Sequence, residues 1–151
     1  MRRKIIVSNN ELLDDVAALI ALGEQVVLLT KGRSMLPFIV GGCDSVELTA
    51  VGDEIKLGDI ILAKIGLPTP RYIIHRVINV EENKITLMGD GNLIGVEECD
   101  KSDVVARVTS IIKPNNKIII PNSKNHQYYA LIWLKLLPIR RYLLAILRRI
   151  S

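Results

Sequence analysis

Ser34, His75 and Asp90 are the residues of this sequence whose types and settings could do chemistry together. Ser34 stands in Gly32-Arg33-Ser34-Met35-Leu36-Pro37-Phe38. The glycine before it and the proline after it fix the backbone, so the hydroxyl sits on a sharp turn. Apolar Met35, Leu36 and Phe38 would pin that turn to a core. An exposed hydroxyl on a rigid support suits nucleophilic catalysis when a base lies within reach. Without a base, the same serine only closes a turn.

His75 lies in Tyr72-Ile73-Ile74-His75-Arg76-Val77-Ile78, an alternating run that as a strand puts the imidazole on the face of Ile73 and Val77. A histidine on an apolar face is commonly a satisfied core residue. Beside a serine in a half-buried site it would instead stay neutral near physiological pH and accept the hydroxyl proton. The two residues lie 41 positions apart, so only the tertiary fold can join them. Leu87-Met88-Gly89-Asp90-Gly91-Asn92 reads as a strand running into a tight turn, with Glu97, Glu98, Asp100 and Asp103 following. Asp90 reads equally as a turn-forming residue and as a carboxylate that could orient His75; the acidic cluster offers others. A thiol nucleophile at Cys99 is disfavoured, because Glu97, Glu98 and Asp100 crowd it and nothing around it supplies the positive field that lowers a thiol pKa. His126, among Asn122, Ser123, Lys124 and Asn125, reads as a solvated loop residue.

Several elements must hold these residues. Over 1–24, Leu12, Leu13, Val16, Leu19 and Ile20 keep helical spacing up to Gly23, and Ser8 and Glu11 stand at capping-box spacing. Over 25–120 the pattern changes to short β-branched runs broken by turn residues: Gln25–Thr30, Ser45–Thr49, Asp59–Ile65, Tyr72–Val80, Lys84–Met88, Asp103–Ile112 and Lys117–Ile120. No helical segment alternates with these strands, which points to a compact, mostly antiparallel β-fold and away from a parallel βαβ sheet.

The remaining segment, 121–151, is apolar and basic. From Lys113 onward there are eight basic residues and no acidic one, leaving twelve basic against sixteen acidic residues upstream, a net charge of −4. Tyr128–Leu137 and Ile139–Ile150 flank Pro138, and Leu143, Ile146, Leu147 and Ile150 share one helical face. Neither piece has the roughly 20 apolar residues of a membrane span. The segment fits a helical tail lying in a membrane interface, with Trp133, Arg140, Arg141, Arg148 and Arg149 at an anionic surface. Packing on the β-domain or on a second copy is the plain alternative. The N-terminal run Ile5–Val7 is far too short for a signal peptide or anchor. With 49% hydrophobic and 24% charged residues, the 151-residue chain suits one folded body. One Phe and one Trp are too few for stacking on single-stranded nucleic acid, and two cysteines are too few for a metal motif. The reading invokes no cofactor, no metal and no nucleic acid.

Taken in order, Gly-x-Ser-Met-x-Pro at Gly32–Pro37, Gly58-Asp59-Ile60-Ile61, His75-Arg76-Val77, Gly89-Asp90-Gly91-Asn92 and Asp103-Val104-Val105-Ala106-Arg107-Val108 resemble the boxes of the type I signal peptidases and the related LexA/UmuD-type self-cleaving peptidases. The resemblance spans about Gln25 to Val108. Histidine in the third box is similar to the archaeal and endoplasmic-reticulum subgroup; the bacterial enzymes and the LexA group have lysine there. The resemblance implies the coiled antiparallel β-sheet of these peptidases, which with the helical readings above gives a mainly β fold carrying an N-terminal helix and a C-terminal amphipathic helical tail. It implies Ser34 as nucleophile, His75 as general base and Asp90 in support. Gly32, Ser34, Met35 and Pro37 would then form the oxyanion and substrate-binding surface, led by the Ser34 amide. Ser/His members carry their acid several positions after the Gly-Asp turn, where this chain has Gly95-Val96-Glu97-Glu98. The orienting acid therefore stays open among Asp90, Glu97 and Glu98. Many relatives have a small hydroxyl residue where this chain has Gly32.

The expectation is a serine endopeptidase that matures a leader or signal-like peptide in the cytoplasm, peripheral at the inner membrane surface. The readings from other classes are a non-catalytic peptide-binding module on the same scaffold and a membrane-surface adaptor.

Overall fold

The computed structural model describes residues 2–6, 10–52, 54–66 and 68–150. Ser8, expected to cap the first helix, and the final Ser151 lie outside them. The chain runs through β1 (Arg2–Ile6), α1 (Asn10–Ala21), β2 (Gln25–Leu29), β3 (Ser45–Thr49), β4 (Ile60–Ile65), β5 (Arg71–Glu81), β6 (Lys84–Met88), β7 (Glu97–Asp100), β8 (Val104–Ile112), β9 (Ile118–Ile119), α2 (Lys124–Lys135) and α3 (Arg140–Ile150). The strands form one curled half-barrel sheet in the order β1-β2-β3-β8-β4-β5-β6-β7, with β9 paired to β8. The fold is mainly β with helices at both ends, as expected.

Alternation explains why the sheet curls around two apolar layers. On β4, Ile60 and Leu62 join Val16 and Ile20 of α1, while Ile61 and Ala63 join Ile73, Val77, Ile85 and Leu87. Successive side chains point to opposite faces. A strand covered on both faces therefore reads as the unbroken run Ile60-Ile61-Leu62-Ala63. His75 obeys the same rule, between Ile73 and Val77 on β5, and is buried.

Two features depart from the expectation. β1 pairs in parallel with β2, Arg2 opposite Gln25, and α1 is the crossover between them. The absence of a parallel βαβ unit therefore holds only for the strands after β2. β7 also passed unseen: of Glu97, Glu98, Cys99 and Asp100 only the cysteine is buried, so no apolar alternation marks the strand.

Candidate active site

The turn that carries Ser34 is held at its base and from behind. Thr30 N–H donates to Asp44 O at 3.0 Å and the Thr30 hydroxyl donates to the same oxygen at 2.7 Å, closing the loop that carries Ser34. Lys113 Nζ reaches both Asp44 Oδ2 at 2.6 Å and Phe38 O at 3.1 Å. Met35 and Ile39 are buried in the core with α1 and β2, and the Leu36–Pro37 bond is cis. Ser34 itself is half-buried, and neither its hydroxyl nor its N–H has a hydrogen-bond partner among the described residues. The hydroxyl is not spent on closing its own turn.

The Gly89–Asn92 turn lies directly against this loop. Gly91 N–H donates to Ser34 O at 2.8 Å. A Cβ on Gly89 would stand 2.3 Å from Ser34 O, and one on Gly91 2.4 Å from Arg33 O. Both distances are far inside van der Waals contact with backbone, so glycine is required by close approach at both positions.

Ser34, His75 and Glu97 line one cavity of about 480 Å³, together with Gly32, Met35, Asn92 and the Arg71–Ile74 stretch of β5. Leu13 of α1 forms part of its wall, and α1 is tied to the sheet by Asp14, which accepts from Tyr72 and from Lys64 Nζ at 3.0 Å. The Tyr72 hydrogen bond, ahead of Lys64, holds the Asp14 carboxyl below its ordinary pKa. His75 Nδ1 lies 2.9 Å from Glu97 Oε2, which fixes the ring and leaves Nε2 without a partner among the described residues. The other Glu97 oxygen faces Arg71 Nη2 at 3.8 Å.

Asp90, expected to support the histidine, is engaged elsewhere. Arg76 grips it with Nε to Oδ1 at 2.8 Å and Nη2 to Oδ2 at 2.7 Å, both groups buried, while Arg76 Nη1 donates to Gly58 O at 2.9 Å. The guanidinium also stacks 5.1 Å from the Phe38 ring centroid. One buried cation thus joins the Ser34 loop, the His75 strand and the Gly89–Asn92 turn. Neighbouring positions on a strand face opposite ways, so His75 and Arg76 address different carboxylates. The carboxylate at His75 is Glu97, from the cluster left open by sequence; Glu98 lies in an exposed pair with Lys84 at 3.4 Å. Pro37 sits half-buried in the turn, outside the cavity lining.

The C-terminal segment divides. Trp133 and Arg140, expected at a membrane surface, are buried. Trp133 Nε1 donates to Asp90 O at 2.6 Å, and Arg140 donates to Asn92 O at 2.9 Å and Trp133 O at 3.3 Å. They satisfy carbonyls of the site turn that water would otherwise have to reach. Arg141, Arg148 and Arg149 are exposed. His126 is a correction too. It is buried on α2 with its ring 5.0 Å from Phe38, and burial, with Arg76 adding to it, lowers its pKa to about 4. The missed signal was Ser123, which caps α2 by accepting from His126 N–H at 3.3 Å. With that start, His126, Ala130 and Trp133 fall on one buried face. Cys99 is buried, and burial with Asp103 and Asp100 pushes its thiol up to about 11, far from a thiolate nucleophile.

No protein-family model and no curated protein matches the sequence.

Proposed function

We propose that this chain is a serine endopeptidase of the signal-peptidase-like type, with a coiled sheet of the kind those peptidases share with LexA. Ser34 Oγ attacks the peptide carbonyl, and His75 Nε2 takes its proton and passes it to the leaving amine. Glu97 steadies the imidazolium through Nδ1 and fixes its tautomer. The unengaged Ser34 N–H is available to the oxyanion. Water then releases the acyl-enzyme by the same proton route in reverse. The observation that carries the reading is the His75–Glu97 pair at 2.9 Å opening into the cavity that Ser34 also lines.

The sheet supplies a place for the substrate backbone. β4 pairs with β5 from Arg71 to Arg76, and β6 pairs with β5 only from Arg76 onward. The second edge of Arg71–His75 is therefore open among the described residues and borders the cavity. An extended peptide adding as a strand there would bring its carbonyls past Ser34. A leader or signal-like peptide, unfolded and able to lie extended, suits that edge. Incubating the protein with a library of extended peptides and reading cleavage by mass spectrometry tests the proposal. Cleavage by the wild type that falls at least about a thousandfold in Ser34→Ala and in His75→Ala supports it. Peptide binding without cleavage by the wild type contradicts it and leaves a binding module.

A further inference from the structure

We propose that the outer face of the α2 and α3 helices docks on an anionic lipid bilayer. The inner side of this segment is occupied by Trp133, Arg140, Ala130 and Leu144, all buried. Opposite them, Tyr128, Leu131, Tyr142 and Ile146 are each more than half exposed, at 64%, 56%, 58% and 55%. Lys135, Arg141, Arg148 and Arg149 are exposed among or beside them. Apolar side chains presented together with cations form a face that inserts shallowly among acyl chains while its charges meet headgroups.

Charge selects this occupant over the others. This face presents Lys135, Arg141, Arg148 and Arg149, and from Lys113 onward the sequence has no Asp or Glu, so apposing two copies through it would oppose like charges. No helix among the described residues is long and apolar enough to cross a membrane, so the geometry is that of a helix pair lying on a surface. The inner side of the same helices hydrogen-bonds the Gly89–Asn92 turn, which brings the bound surface to the back of the cavity wall and leaves the cavity itself open. The proposal stands on exposure and charge alone and does not depend on peptidase activity.

Flotation of the full chain with phosphatidylcholine vesicles, with and without 30 mol % phosphatidylglycerol, tests it. The wild type is expected to float with the anionic vesicles, weakly or not at all with neutral ones, and less as salt rises. Each cation at such a surface contributes about fivefold in affinity, so Arg148→Ala with Arg149→Ala should weaken binding by about twenty-five-fold. Ile146→Glu should abolish it, whereas Leu22→Glu, an exposed change on the opposite end of the chain, should not. Because these positions are exposed, circular dichroism spectra should match the wild type. Equal flotation on both vesicle types, failure of the wild type to float, or flotation unaffected by Ile146→Glu would each overturn the proposal. Concentration-dependent dimerisation lost in Ile146→Glu would overturn it in favour of a second copy.

Discussion

Two carboxylates near the cavity have opposite duties, and their partners decide which is which. Glu97 is partly exposed and bonds the His75 imidazole; Asp90 is buried and bonds the Arg76 guanidinium. Glu97→Gln should leave the fold intact while slowing peptide cleavage by up to about ten-thousandfold, the cost of losing the group that sets a catalytic histidine's tautomer. Asp90→Asn should do the reverse, costing about 3–5 kcal/mol of stability by leaving the Arg76 guanidinium buried and unbalanced. Thermal melts and kcat/KM measured on both variants separate the roles. Asp90 was legible as important because two glycines flank it, yet its partner was not. Nothing local tells whether a turn carboxylate faces position 75 or 76, which differ only in the side of a strand. Glu97 was one of three candidates for the same reason: its strand carries no hydrophobic alternation to fix its register.

At the level of elements, the site is a contact between two loops, stabilised from behind by helices. The Gly89–Asn92 turn touches the Ser34 turn through a 2.8 Å backbone bond, and α2 and α3 hold that turn through Trp133 and Arg140. Gly91→Ala forces a methyl to within 2.4 Å of Arg33 O, so one loop must retreat. Overpacking of this kind costs about 1–3 kcal/mol, and the displaced Ser34 should lower kcat by tenfold or more with little change in KM. A variant with unchanged kcat would disconnect the turn from catalysis. The strands were readable because their apolar runs and turn residues are local signals. β2, β3, β4, β5, β6 and β8 fall within one or two residues of where the pattern puts them. The inward docking of the tail was legible only as the alternative to a membrane interface. Trp133 and Arg140 have the composition of an interfacial belt, and only the tertiary fold reveals the carbonyls of Asp90 and Asn92 that they meet.

On the scale of the whole molecule, β-sheet, Ser34 loop and C-terminal helices meet at one buried polar cluster, and its weak point is acid. His126 faces Arg76, Asp90 and Lys113 and meets the Phe38 ring edge-to-face. Its folded pKa of about 4 lies below the ordinary 6.5. The unfolded chain therefore takes up a proton that the folded one resists, and stability falls as pH drops from about 6.5 toward 4. The expected loss is about 2–3 kcal/mol by linkage. His126→Phe, which keeps a ring beside Phe38, should lose that much less between pH 7 and pH 4 in denaturant titrations; equal losses would remove His126 from the acid response. The account as a whole rests on Ser34 being made nucleophilic by His75. Labelling by a fluorophosphonate at pH 8, with the modified residue located by mass spectrometry, reads that directly. The account predicts stoichiometric modification of Ser34 in the wild type and a rate at least about a hundredfold lower in His75→Ala. An unlabelled wild type, or His75→Ala labelled as fast as the wild type, would contradict it.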